Sequence, residues 1–253
     1  MKIFDSLWIA ISTYSILPVP KTEWHPKARQ NALCFLPVVG LFAGAAVYLW
    51  RRFCLTFAVE AAVFSAVATL LPLLITGGIH MDGWMDTADA LSSRQSRERK
   101  LEIMKDSHTG AFAVIWCMAY LLLSYSLHWT LYFRDVWKLA ALGFVLSRSL
   151  CALSAFILPN ARNGGMLFAF TDRAKKHKAA ASALLISLAC MGGMFFLDLV
   201  RGLLSISAAL LSFWRYRSMV KKQFGGVTGD TSGFFIQLCE ISVLSALWLG
   251  GFV

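Results

Sequence analysis

Predominantly apolar runs of about eighteen residues or more recur along this 253-residue chain, and they leave it few ways to fold. Coiled into a helix, such a run crosses the roughly 30 Å hydrocarbon core of a bilayer and keeps its backbone hydrogen bonds to itself. Seven stretches can be drawn, at 32–50, 57–76, 111–133, 137–158, 179–199, 202–219 and 232–252. Composition agrees: 58% of residues are hydrophobic and 15% charged, against roughly 45–50% and 25% in soluble domains. The expected fold class is an all-α, polytopic membrane helix bundle of about seven transmembrane helices, with residues 1–253 forming one domain. The first stretch is the weakest, because Pro37 and two glycines interrupt it. Residues 3–17 are apolar but short and carry Asp5, which fits an interfacial or re-entrant helix within a cytoplasmic N-terminus, 1–31. A single lysine and no small-residue cleavage site argue against a cleavable signal peptide there.

Charge then orients the bundle. With loops numbered alternately from the N-terminus, one side receives eighteen of the twenty-four basic residues, among them Lys21, Arg97, Arg173 and Lys221. The other side receives five, and Arg148 falls inside a span. Basic loops stay in the cytoplasm, so the N-terminus is expected inside and the C-terminus outside. The net charge of +10 is then chiefly a topology signal. A nucleic-acid surface would need basic residues interleaved with exposed aromatics or a binding module, and no such pattern occurs. The six cysteines are scattered through apolar segments without paired spacing, as small buried hydrophobes are.

The loops with motif-like wording all fall on the basic side: 76–110, 159–178 and 221–233. The first holds six of the fourteen acidic residues, Asp82, Asp86, Asp89, Glu98, Glu102 and Asp106. Asp82, Asp86 and Asp89 stand at i, i+4 and i+7, and on a helix at about 100° per residue they share one stripe. Three carboxylates so placed repel each other unless a cation sits among them. Mg²⁺ is the natural candidate, since it is held by a few carboxylates together with substrate phosphates. The plainer reading is a solvated acidic face. Asp230, in Gly225-Gly226-Val227-Thr228-Gly229-Asp230, adds a further ligand or a base, or else it caps the last span. His80 precedes the stripe as a ligand or a hydrogen-bonding loop residue.

Gly225, Gly226 and Gly229, with Gly77-Gly78, Gly83 and Gly164-Gly165, supply backbone that can approach a phosphate closely. Arg162 is flanked by turn residues and not by other cations, which marks it as a phosphate binder. Glu102 and Asp106 form a second acid pair, with Lys105 and His108 nearby and Arg97, Arg99 and Lys100 able to neutralise it. Within the spans, Arg148 requires an anionic partner. Glu240 is the natural one; a substrate phosphate is the alternative.

With GGIHMDGWMDTADAL, EIMKDSHTGAF, LPNARNGG and GGVTGDTSG in this order, the chain resembles the cobalamin synthase family, the adenosylcobinamide-GDP ribazoletransferases. TYSILPVP and LCFLPVVG near the N-terminus also resemble that family, so the likeness covers nearly the whole chain. It implies a multi-pass enzyme of a bacterial or archaeal plasma membrane, with its active site on the cytoplasmic face. That enzyme requires Mg²⁺, joins adenosylcobinamide-GDP to α-ribazole or α-ribazole 5′-phosphate, and releases GMP. The resemblance points to Asp82, Asp86, Asp89, Lys105, Asp106, Arg148, Arg162, Asp230 and Glu240 as site residues. A homo-oligomer, or association with other corrinoid-pathway enzymes on the basic face, is left open. Two positions depart from the family: Ala113 stands where glycine is frequent, and Gln237 where an acid is. Asp82-Gly83 with Asp86 and Asp89 is also similar to CDP-alcohol phosphotransferases, but their Ala-Arg pair and later Gly-x3-Asp-x3-Asp spacing are missing. An ion-coupled transporter would carry its acids inside the spans instead.

Overall fold

The computed structural model describes residues 2–172 and 174–252. Met1, Val253 and Arg173, the last among the basic residues counted above, lie outside the described residues. The N-terminal arm carries α1 (Lys2–Tyr14) and α2 (Pro26–Ala32) before α3 (Leu36–Thr56). A turn leads to α4 (Ala61–Thr76), from which α5 (Ile79–Ser92) departs at 95°. The short α6 (Arg97–Ile103) precedes α7 (Ala111–Leu131) and α8 (Trp137–Ile157). After α9 (Met166–Thr171) come α10 (Lys176–Leu197), α11 (Leu199–Gln223) and α12 (Gly229–Leu249). The only β pairing among the described residues is an isolated parallel bridge between Asn160 and Val227.

Five helices, α3, α7, α8, α10 and α12, are long and apolar enough to cross a membrane, and the bent pair α4–α5 makes a sixth if taken as one span. The 25-residue α11 is long enough, but Arg201, Arg215, Arg217, Lys221 and Lys222 dilute its apolar character. The all-α membrane bundle expected from the sequence is therefore present, with two differences of detail. The second expected span is shorter: the 16 residues of α4 rise only about 24 Å. The acidic region expected as a loop continues it as a helix, turned by 95° and packed against α7 and α12. Pro37, which makes the first span look interrupted, lies in the first turn of α3, where its missing N–H has no helical acceptor to lose.

The bundle is organised around α8, which packs against α3, α10 and α12. Gly40 and Gly44, four residues apart, form the α3 side of one crossing. A Cβ on either would sit 2.3 Å from the Phe144 carbonyl oxygen or 2.6 Å from that of Ala141, so the two backbones meet as small-xxx-small motifs allow. Gly40 also leaves room for the side chain of Arg148, whose Cδ lies 2.7 Å from that same Cβ position. Arg148 pairs with Glu240 across the α8–α12 contact, and Ser147 Oγ donates to the same carboxylate. Arg148 Nη1 also donates to the Phe144 carbonyl oxygen and to Ser147 Oγ. At 1% and 5% exposure the pair is closed to substrate. The candidate role of Arg148 and Glu240 in substrate binding gives way to a structural one, because each already holds the counter-charge that a buried ion requires. Gln237 is also satisfied internally: Tyr120 donates its hydroxyl to Gln237 Oε1 at 2.6 Å.

The N-terminal arm closes over the α4–α5 break. Ile9 and Ala10 of α1 pack with Ala28, Ala32 and Phe170, and the Ile16 N–H donates to the Ile75 carbonyl at 2.9 Å. Gly77 and Gly78 make the break, with φ of +61° and +79° that other residues rarely adopt.

The buried pair yields a stability test. Arg148→Met alone strands Glu240 and is expected to cost about 3–5 kcal/mol, whereas Arg148→Met with Glu240→Met should recover most of that loss. Thermal unfolding in detergent measures both; additive destabilisation in the double variant would show that the two residues do not act as a pair.

Candidate active site

Each acidic residue of the stripe is positioned by a close helix crossing. Gly83 of α5 faces Asp230 of α12 so closely that a Cβ would lie 2.5 Å from the Asp230 carbonyl oxygen. A Cβ on Gly233 would lie 3.0 Å from the His80 carbonyl oxygen and 3.3 Å from Gly83 Cα. Trp84 fixes the register, stacking on Phe234 at 4.7 Å and donating its indole N–H to the Trp116 carbonyl at 3.2 Å. On the helix so placed, Asp82 is exposed while Asp86 and Asp89 are half-buried along the same face. Asp89 lies against the start of α7, its carboxylate where a Cβ of Gly110 would stand.

The sequence left open whether Asp230 caps α12. The cap is Thr228: its Oγ1 accepts from the Thr231 N–H at 3.0 Å, and Thr231 Oγ1 accepts from the Thr228 N–H at 2.9 Å. This reciprocal box satisfies the helix end. Asp230, in the first turn, is left to face the cleft, where its Oδ2 lies 3.9 Å from Arg162 Nη1. Arg162 is held from the other side by a 2.5 Å hydrogen bond from Nη2 to the Leu101 carbonyl of α6. Its loop is tied to the α12 approach by hydrogen bonds from the Val227 N–H to the Pro159 carbonyl at 2.8 Å and from the Ala161 N–H to the Val227 carbonyl at 2.9 Å.

Four carboxylates and one guanidinium therefore come near one another from three separate segments, α5, α12 and the loop between α8 and α9. The electrostatic consequence is visible at Asp86, whose pKa rises to about 7, chiefly through burial and then through the negative charges of Asp82, Asp230 and Asp89, with Arg162 pulling it back. A carboxylate held up by its neighbours is a place where a divalent cation lowers the energy. Among the described residues no three His, Cys, Asp or Glu side chains already close a metal cage. The donors present are hard carboxylate oxygens, the kind of which Mg²⁺ commonly takes one or two.

The other candidates separate clearly. Gly226 packs on the protein, with a Cβ there 2.3 Å from the Pro159 carbonyl oxygen, and Gly225 lies under the Arg97 guanidinium. Gly229, Gly164 and Gly165 have open space and line the cleft, so these glycines, and not Gly225 or Gly226, are free to meet a ligand. Lys105 and Asp106 are exposed on the segment after α6. Asp106 accepts from the His108 N–H at 3.0 Å and from its ring at 2.7 Å, which lowers its pKa. No contact among the described residues joins Lys105 or Asp106 to the four carboxylates.

Two neighbouring cavities, sharing Met166, Leu167, Gly229 and Asp230 in their walls, open here. One of about 140 Å³ runs between Arg162, Gly165, Thr228 and Asp230. The other, about 240 Å³, goes deeper past Asp82 and Asp230 to His80, Cys151 and Tyr14. The sequence offered no sign of Tyr14, Cys151, Leu33 or Leu36 as site residues, because each reads as ordinary apolar filling. A larger groove of about 650 Å³ lies on the outside of α11 and α12 and touches none of the aspartates.

Residues 6–248 match the family described as Cobalamin-5-phosphate synthase. The chain is 37% identical over 241 residues to the adenosylcobinamide-GDP ribazoletransferase of Lachnoclostridium phytofermentans, covering 95% of this chain and 92% of that one. It is 34% identical over 247 residues to the adenosylcobinamide-GDP ribazoletransferase of Pseudomonas entomophila, covering 96% and 98%. It is 30% identical over 244 residues to that of Clostridium perfringens strain 13, covering 96% and 97%. No solved structure matches.

The crossing that assembles the site is open to test. Gly83→Val should drive α5 off α12 and cost about 1–3 kcal/mol, read as a lower denaturation midpoint in detergent. Gly229→Ala, with nothing within 4 Å of its Cβ position, should stay within about 0.5 kcal/mol of the parent. Equal midpoints for the two would remove the crossing from the account.

Proposed function

Because the chain belongs to the Cobalamin-5-phosphate synthase family, we propose that it is an adenosylcobinamide-GDP ribazoletransferase of cobalamin biosynthesis. It joins adenosylcobinamide-GDP to α-ribazole, or to α-ribazole 5′-phosphate, and releases GMP. The observation that carries this reading is the convergence of Asp82, Asp86, Asp89 and Asp230 with Arg162 at one cleft. That is the equipment for handling a pyrophosphate. A transporter reading is not favoured, since these acids gather at a helix crossing beside loops and not along a path through the spans.

The chemistry is a substitution at phosphorus. A ribose 3′-hydroxyl oxygen bonds to the phosphorus on the cobinamide side, the P–O bond to the bridging oxygen breaks, and GMP departs with that oxygen. Asp82, Asp86 and Asp89 would hold Mg²⁺, and the ion would then supply charge neutralisation to the pyrophosphate and the leaving phosphate. Arg162 offsets the remaining phosphate charge and, through its bond to the Leu101 carbonyl, holds a fixed direction while doing so. Asp230 accepts the hydroxyl proton, since it lines both the deep cavity and the cleft, whereas Asp89 is turned toward Gly110. Lys105, exposed on the segment after α6, is a further group to offset substrate phosphate charge. We place the cleft and the N-terminus on the cytoplasmic side of a bacterial or archaeal plasma membrane, following the distribution of basic residues.

Purified protein in detergent with adenosylcobinamide-GDP, α-ribazole and Mg²⁺ should yield GMP and the joined corrinoid; well-folded protein that gives neither would sink the assignment. Asp82→Asn and Asp86→Asn should each lower turnover by about 10²-fold or more. They should also lose the rise in denaturation midpoint that Mg²⁺ produces in the parent. Asp86 titrates near 7 and a ligand must be deprotonated, so that rise should grow from about pH 6 to about pH 8. Variants that keep both turnover and the Mg²⁺ shift would move the cation elsewhere.

Topology has its own measurement. If α11 crosses as well as the six spans counted above, the total is odd, so a reporter fused after Val253 is expected to behave as extracytoplasmic, and cytoplasmic behaviour would overturn the inside placement of the N-terminus or the crossing of α11.

A further inference from the structure

The groove of about 650 Å³ on the outside of α11 and α12 takes no part in the phosphoryl chemistry, and it changes character along its length. Leu211, Phe234 and Leu238 give it an apolar wall, with Leu91 of α5 beside them. Further along α11 the lining turns cationic, with Arg215, Lys222 and Gln223. No acidic residue lines it. Arg215 and Lys222 are exposed and form no ion pair among the described residues. A third cation adjoins that end. Lys100 of α6, 7% exposed, donates from Nζ to Gln223 Oε1 at 2.5 Å, and so meets a neutral amide there in place of a carboxylate. A buried ammonium without a counter-charge is costly, and an anion at this end of the groove offsets it.

We propose that this groove binds one anionic phospholipid, with an acyl chain along Leu211, Phe234 and Leu238 and the phosphate at Arg215 and Lys222. Length supports it. From Ala208 to Lys222 the α11 lining rises about 21 Å, and one leaflet of a hydrocarbon core of roughly 30 Å is half that core. The groove therefore takes a chain and a headgroup together. The apolar wall favours a lipid over free phosphate, and the cationic end favours an anionic headgroup over a zwitterionic one. A second copy of this chain suits the groove less well, because its net charge of +10 brings more positive charge to an end that is already cationic. Trp214, exposed beside Arg215, is the kind of residue that sits at headgroup level. The cationic end is on the aspartate side of the bundle, since α11 ends at Gln223 and α12 begins shortly after at Gly229, which lines the cleft. Under the topology proposed above, the lipid comes from the cytoplasmic leaflet, whose surface is negative. Leu91 follows Asp89 by one turn or less of α5, so a lipid seated here packs the end of the acidic helix against α11 and α12.

The test is native mass spectrometry of the full-length protein in detergent, titrated with phosphatidylglycerol and phosphatidylcholine of identical acyl chains. One phosphatidylglycerol should bind about tenfold or more tightly than phosphatidylcholine and should raise the denaturation midpoint. Arg215→Gln and Lys222→Gln should each weaken phosphatidylglycerol about fivefold. Lys221→Gln, at an exposed position outside the groove, should change it less than about twofold. Equal affinity of the parent protein for the two lipids would overturn the proposal without any variant having to fold. An effect of Lys221→Gln as large as that of Lys222→Gln would overturn it too, because binding would then follow general surface charge. Displacement of the lipid by inorganic phosphate would assign the cations to a free anion. A dimer that persists after lipid removal and is broken by Leu211→Glu would assign the groove to a second copy. Either result rejects the lipid site. None of these measurements uses turnover, so their outcome is separate from that of the transferase reading.

Discussion

The contact on which the site depends is the approach of α5 to α12 at Gly83 and Gly233. Two backbones meet there with no side chain between them, and in a bundle whose surroundings are apolar such contact is a main source of helix association. It sets Asp82 and Asp86 across from Asp230, and Trp84 against Phe234 prevents the helices from sliding. The 95° turn at Gly77-Gly78 delivers α5 to that position. The same turn sets the acidic helix at a steep angle to α4 and against α7 and α12.

A second constraint concerns charge that cannot reach water. Arg148 and Glu240 neutralise one another inside the bundle, and Gly40 leaves the room in which the arginine lies. The active carboxylates follow the opposite logic. They crowd at the edge of the bundle without a full set of counter-charges, and the raised pKa of Asp86 records the imbalance. One arrangement is finished within the protein. The other is left for the proposed cation and anionic substrate to complete.

Two neighbouring cavities differ in character. The cleft beside Arg162 has open glycines at its rim, whereas the recess behind Asp82 and Asp230 is largely apolar. Asp230 belongs to both, which makes it the natural meeting point of hydroxyl and phosphorus. The capping box at Thr228 and Thr231 frees it for that position, since the helix end does not need its carboxylate.

Much of this was legible from the amino-acid sequence. The apolar runs determine a membrane helix bundle, because only a helix or a closed barrel satisfies its backbone in lipid. The i, i+4, i+7 spacing determines that Asp82, Asp86 and Asp89 share a stripe, because helical periodicity is local. The partner of Arg148 was legible for a related reason: few acids occur within the spans. Tertiary structure decided what depends on distant segments meeting. It removed Arg148 and Glu240 from the site by burying them together, and it assigned Gly225 and Gly226 to packing while leaving Gly229 open. It also brought Asp230 and Arg162 to the stripe, left Asp106 on an exposed turn, and made a recess from Tyr14, Leu36 and Cys151. A sequence records which residues are apolar, charged or small, but whether a small residue admits a ligand or a neighbouring helix depends on what the fold places within a few ångströms of it.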